Sequence, residues 1–168
     1  MAVKTIALSQ GYIAKVSNKD YARLLEGTKW FADVVRRKDG SIRTVYAVRN
    51  ATIGRNKRVT QFMHGFITGL TGVDHKDGDG LNNLRSNLRK ATKEQNGANR
   101  KPNLSKTSKY KGVWFCKSRH LFSAAIQVNN VTTYLGSWIT EKSAALAYDK
   151  EAIKAWGNFA RLNFPRTG

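Results

Sequence analysis

The sequence predicts an α+β fold: a β-rich amino-terminal scaffold leads into a strand, loop, strand, helix segment, and a smaller module of three strand-like runs and a helix follows. Three observations carry this prediction. Apolar and polar residues alternate with a period of two in several short runs. Tight-turn chemistry, Lys38-Asp39-Gly40 and Asp77-Gly78-Asp79-Gly80, punctuates them. Helical patterning is confined to a few segments that open with capping residues. A chain of 168 residues has room for two modules of this kind, each with a modest core.

In chain order, Thr5–Leu8 and Tyr12–Val16 read as strands, and Ser17-Asn18-Lys19-Asp20 has the N-cap chemistry to open a helix running through Leu24 and Leu25. After Gly27, the alternation in Trp30–Arg37 and Ile42–Val48 around the Lys38-Asp39-Gly40 turn predicts a hairpin. Asp77-Gly78-Asp79-Gly80 reverses a strand holding Asp74 and His75 into an extended return from Asn87 to Ala91. Thr92-x-x-Gln95 is a capping box, so a helix starts there and Asn96 projects from its first turns. Gly97–Ser108 has linker composition, which sets a domain of residues 1–100, a linker at 101–108 and a domain of 109–168. Beyond it, Gly112–Cys116, Phe122–Val128 and Thr132–Leu135 are strand-like. Thr140 caps a final helix with Glu141 at its positive end, and Ala144, Ala145, Tyr148, Ala152, Ala155 and Trp156 make its apolar face.

The charge narrows the function. Thirty Lys and Arg against 11 Asp and Glu give +19, which points to a polyanionic partner, with nucleic acid first. No acid occurs from Gly40 to Val73 or from Gln95 to Thr140, and two acid-free surfaces suit phosphate backbones. There is no apolar run of the roughly 18 residues a membrane span needs. Met1–Val16 lacks the apolar core of a secretory signal, so the expectation is a cytoplasmic protein of a bacterial or phage-infected cell. The single Cys116 builds neither a disulfide nor, with three scattered His, a closed zinc site, and His120 sits in a polar turn with no evident role.

The segment from Val73 to Asn96 carries the chemistry. Asp74 and Asn96 offer oxygen ligands from strand and helix, which suits a hard cation such as Mg²⁺ that keeps several waters and also binds substrate phosphate. His75 is an imidazole able to take a proton from water, as hydrolysis of a phosphodiester requires. Asp74-His75, Asn87-Leu88-Arg89 and Thr92 with Asn96 resemble the pattern of the HNH nucleases, specifically the small phage and intron-associated endonucleases. The resemblance implies a ββα-metal nuclease core with its motif at 63–99, His75 as general base, and Asn87 holding the His75 loop. It also implies Asp74 and Asn96 as ligands of one divalent ion, Mg²⁺ or Mn²⁺. Asn96 stands where other members use His, which keeps an oxygen ligand and disfavours zinc. Met63-His64 matches a Met-His pair of the family, although Gly65-Phe66 replaces the usual Arg-Leu; His64 and Arg89 are therefore candidate substrate contacts. The implied activity is homing-type nicking or cleavage of double-stranded DNA by a monomer or homodimer.

In the last module, alternation turns Val113, Phe115, Phe122, Ala124, Ile126 and Leu135 towards Tyr148 and Ala152. Trp114, Ser123, Gln127 and Tyr134 then face outward. With Lys111, Lys117 and Arg119 they form a candidate nucleic-acid surface, on which Gln127 can pair with adenine. Ser108–Trp114, Ala124–Ile126, Tyr134–Gly136, Ala144–Asp149 and Leu162–Pro165 resemble the Apetala-type (ethylene-response-factor-like) DNA-binding domain. That resemblance implies a three-stranded antiparallel sheet backed by one helix, with the sheet in the major groove. Trp114 and Cys116 stand where plant members place arginines, so no plant target sequence carries over.

Overall fold

The computed structural model describes residues 2–54, 57–101 and 107–165. The fold is mixed α+β, mostly sheet with few helices. It divides into two compact units, Met1–Ala91 and Thr92–Gly168, so the division falls ahead of the linker expected at 101–108, most of which lies outside the described residues.

The first unit opens with β1 (Val3–Ala7) and β2 (Ile13–Ser17), an antiparallel pair, followed by α1 (Asn18–Leu25). Ser17 is the N-cap of α1, but its side chain makes no capping bond: its Oγ accepts the backbone N–H of Arg85 at 3.1 Å, a demand from far along the chain that the local sequence does not announce. Asp20, 2% exposed, takes the Nε and Nη2 of the same Arg85 at 2.8 and 2.7 Å and sits favourably in the helix's first turn. The predicted hairpin is present as β3 (Phe31–Arg36) and β4 (Ile42–Ile53), and a third strand, β5 (Lys57–Phe62), which the sequence pattern did not reveal, completes the sheet. The short helix α2 (Met63–Thr68) was likewise not anticipated; it ends where Gly69, at φ 70°, donates its N–H back to Gly65 O.

Next come β6 (Val73–His75), β7 (Asn82–Asn83) and β8 (Leu88–Lys90). β6 and β8 pair antiparallel, as the turn chemistry predicts, whereas β7 leaves that hairpin to pair in parallel with β2. The core of this unit is built on Val16, Leu24, Ala47 and Met63, all nearly inaccessible, and Trp30 closes it by donating its indole N–H to Leu24 O at 2.7 Å.

The second unit starts with α3 (Lys93–Ala98), opened by the capping box in which Thr92 Oγ1 accepts from Gln95 N and Gln95 Oε1 accepts from Thr92 N. Its contacts keep it in this unit: Glu94 accepts the backbone N–H of Asn129, and Ala98 O accepts that of Arg161. The strands β9 (Val113–Cys116), β10 (Leu121–Val128) and β11 (Val131–Trp138) form an antiparallel sheet in the order β11-β10-β9, with a bulge at Ala124/Ala125. Helix α4 (Glu141–Trp156) packs on it, capped by Thr140.

The inward face predicted by alternation divides into two clusters here. Val113 and Ala124 meet Ala144 and Ala145, and Ile126 meets Tyr148 and Ala152, with Leu135 against both. Ala155 is a correction, because it is exposed, and Trp156 packs against the Ile126, Tyr148 and Ala152 cluster without it. Asp149 accepts three hydrogen bonds from Asn163 and Phe164 and so fastens the following segment to the helix. Gly112 is required by space and backbone alike: at φ +74° a Cβ there would lie 2.1 Å from the Tyr148 ring.

Candidate active site

Four rings converge in the first unit. Tyr46 comes from the middle of β4, Phe62 from the end of β5, His64 from α2 and His75 from β6. The His64 and His75 ring centres lie 5.1 Å apart, edge to face, and Tyr46 is 5.9 Å from His64 and 6.1 Å from His75. Phe62 stacks on His64 at 5.2 Å.

Burial sets the charge state of both imidazoles. His64 is pushed down to about 4, first by desolvation and then by its neighbour His75. His75, only 6% exposed, is also lowered by desolvation, against the opposing pull of its hydrogen bond to Asn83 and of the carboxylates of Asp77, Asp74 and Asp79. Both rings are therefore neutral near pH 7.

The hydrogen bond to Asn83 decides which nitrogen of His75 carries the lone pair. Asn83 is fully buried, and its Oδ1 lies 3.3 Å from His75 Nε2. Its Nδ2 donates to Gly80 O at 3.4 Å, which turns Oδ1 towards the imidazole. An acceptor at Nε2 makes that nitrogen the donor of the pair and Nδ1 the unprotonated nitrogen of the neutral ring. Asn83 is placed there by the parallel pairing of β7 with β2, Val16 opposite Asn83. Its place beside His75 depends on that distant strand pairing and has no local signal in the sequence.

Asp74 and Arg89 are direct cross-strand partners on β6 and β8, and both Nε and Nη2 of Arg89 bond Asp74 Oδ2, at 2.8 and 2.7 Å. The carboxylate is 3% exposed, so this charge-assisted pair offsets much of its desolvation. Asn87 clamps the intervening loop. Its Nδ2 donates to Asp77 Oδ1 and Asn82 O at 2.9 and 2.8 Å, and its Oδ1 accepts Asp77 N at 3.1 Å. Burial pushes the Asp77 carboxyl up, but the bonds from Asp79, Asn82 and Asn87 together hold it below the usual range. Gly80 lets this loop pass over the sheet, since a Cβ there would meet Val45 O at 2.4 Å and the Tyr46 ring at 2.6 Å.

Among the described residues no three His, Cys, Asp or Glu side chains cluster as a metal site. Asp77 and Asp79 spend oxygens on the loop's own N–H groups, and Asp74 spends Oδ2 on Arg89. Mg²⁺ accepts carboxylate oxygens of this kind and draws its remaining ligands from water and substrate phosphate. Asn96 is exposed on α3 in the second unit.

The residues expected to touch nucleic acid fall into two groups in the second unit. Trp114 (37% exposed) and Tyr134 (51%) lie on the outer face of the sheet with ring centres 6.4 Å apart, and Gln127, Lys117 and Arg119 are exposed. Arg119 Nη1 reaches Tyr134 OH at 3.5 Å, and a hydroxyl ladder continues from Tyr134 through Ser137 to Ser123 at 2.6 and 2.8 Å. The Ser137 bond is the largest cause of the lowered Tyr134 pKa. Lys111 does not join them: its ammonium donates to Ala98 O and Arg100 O, and desolvation, then Arg161 and Arg100, push it down to about 8.

The chain is 36% identical over 104 residues to a protein of Acanthamoeba polyphaga mimivirus named as an uncharacterized HNH endonuclease. The match covers 62% of this chain and 53% of that protein, so the chain spans about half the length of the relative it matches. No family model and no solved structure matches the chain. Over the matched 104 residues, the chain is similar to an HNH endonuclease.

Proposed function

We propose that this chain is a metal-dependent HNH-type DNA endonuclease, of the homing kind, that hydrolyses phosphodiesters in double-stranded DNA and is targeted by an Apetala-like domain at residues 109–168. The observation that carries the reading is His75: a buried, neutral imidazole whose Nε2 is committed to Asn83, next to the carboxylate of Asp74. A base kept neutral by burial and fixed in one tautomer is what in-line attack by water needs. The similarity to a named HNH endonuclease supports the same reading.

In this mechanism Nδ1 of His75 takes a proton from water as the water oxygen bonds to phosphorus, and the bond from phosphorus to the 3′ oxygen breaks. The products carry a 5′ phosphate and a 3′ hydroxyl, whose proton comes from solvent. Asn83 holds the imidazole against rotation, and Asn87 holds the loop that carries it. Asp74 is proposed to hold one divalent ion, Mg²⁺ or Mn²⁺; bound there, the ion would supply charge neutralisation of the phosphate and the departing oxygen. His64, neutral and edge-on to His75, and Arg89 are the proposed contacts of the scissile phosphate group. On the second unit, Trp114, Gln127, Tyr134, Lys117 and Arg119 form the proposed DNA face. One site per chain makes a nick the product of a monomer, and a double-strand break the product of two.

The test is conversion of supercoiled plasmid by the parent and by His75→Ala, in Mg²⁺ and in EDTA. Open circles formed by the parent in Mg²⁺ alone are the expected result. Binding without cutting by both proteins, under any divalent ion, would instead make the chain a DNA-binding regulator that keeps a nuclease fold.

A further inference from the structure

A cavity of about 390 Å³ opens on the first unit where α1, β4 and α2 approach one another. None of the groups assigned above lines it. Its walls include Arg23, Thr28, Arg49, Thr52 and Phe66, and Glu26 is the one acid among the lining residues.

Two guanidinium groups are held there by stacking. Arg49 lies over Trp30 at 4.6 Å and over Phe66 at 4.3 Å, and Arg23 lies over Phe66 at 4.8 Å. Arg49 is further fixed by Nε donating to Gln61 Oε1 at 2.8 Å and Nη1 donating to Glu26 O at 3.0 Å. Its plane is set before any ligand arrives, and that removes much of the side-chain entropy cost of gripping one.

The charge in this cavity is unbalanced. Among the described residues Arg49 forms no ion pair, and Arg23 reaches Asp20 only at 3.5 Å, a carboxylate already taken by Arg85. The walls drawn from β4 and α2 lie inside the acid-free stretch Gly40–Val73. A partly buried guanidinium that no carboxylate pairs with among the described residues, next to a second guanidinium and two threonines, is arranged to receive an anion. The oxygens of a phosphate match the fork.

We propose that this cavity seats a backbone phosphodiester of the DNA, away from the bond being cut, with Arg49 as the oriented fork and Arg23 as the supporting cation. The inference rests on the DNA-endonuclease reading for the identity of its ligand. A phosphate group held here anchors the duplex without reading its sequence, and Glu26 at the rim weakens that anchor.

The test measures binding and not cutting: the full chain in EDTA is titrated with a short fluorescein-labelled duplex over a salt series. Arg49→Met is expected to weaken binding about tenfold and to lower the slope of log K against log salt by about one. Because Arg49 also packs on the core, Glu26→Gln on the exposed rim provides the second arm, with an expected gain of about threefold. Parental affinity and slope in both variants would overturn the inference. So would Arg49-dependent binding of inorganic phosphate with no change on the duplex, which would assign the cavity to a free anion. A parent that cuts plasmid while both variants bind as the parent does sinks this inference alone, and variants that behave as expected on a chain that never cuts sink only the nuclease reading.

Discussion

The two units handle polar chemistry in opposite ways. In the first, Asp74, His75 and Asn83 are almost wholly removed from solvent and each is held by named partners. In the second, Trp114, Gln127, Tyr134 and Arg119 stand at the surface of a sheet, and their bonds run along that surface. Burial keeps an imidazole neutral and a buried hydrogen-bond partner sets its tautomer, so such a setting suits a group that must move a proton. Exposure leaves aromatic and cationic groups available to a large, flat partner. The same residue type changes role with its setting: Lys111, folded back onto two carbonyls, is part of the scaffold, whereas Lys117 is exposed.

Substitutions can break or sharpen this contrast. The largest effect on stability is expected from Arg89→Met, which takes the guanidinium from a carboxylate that is 3% exposed. A loss of about 3 kcal/mol in urea unfolding is predicted; a change within error would mean that the hairpin does not rely on that pair. Asn83→Ala is expected to lower the cleavage rate about a hundredfold with DNA affinity unchanged, the lower end of what a positioned general base contributes. Equal losses in rate and affinity would make Asn83 a folding residue only.

Smaller effects belong to the second unit. Trp114→Ala should raise the Kd for duplex about tenfold and leave the saturated cleavage rate as it was, since about 1–2 kcal/mol is usual for an exposed aromatic anchor. A lowered saturated rate at parental affinity would remove the division of labour between the units.

The pH profile sharpens the contrast further. The base works when neutral, and burial lowers the His75 pKa below 6.5, so kcat/KM should be full above that value and fall only as pH drops below it. An acid limb at or above 6.5 would place an ordinary, exposed histidine in charge.

Much of this arrangement was legible in the sequence because it is locally encoded. The Asp77-Gly78-Asp79-Gly80 turn, the Thr92 capping box and the outward Trp114 and Tyr134 all follow from residue type and spacing, and the structure has each of them. What was hidden depends on distant partners. Ser17 has the chemistry of a helix cap, yet its hydroxyl serves Arg85 N, 68 residues away. Asn83 looks like a turn residue until β7 pairs with β2 and buries it against His75. The strand β5 and the six-residue helix α2 fall on a stretch too short and too mixed to show a period, although they deliver Phe62 and His64 to the site. Lys111 could be counted as a basic residue from composition, but not as one pointed at carbonyl oxygens.

The central claim is that chemistry resides at His75 and grip resides elsewhere. It is tested most directly by single-turnover cleavage of a nicking substrate at saturating protein, measured for the parent and His75→Ala beside their equilibrium affinities in EDTA. The account predicts a rate about a thousandfold lower at unchanged Kd. A parental rate from His75→Ala, or a loss carried entirely by Kd, would contradict it.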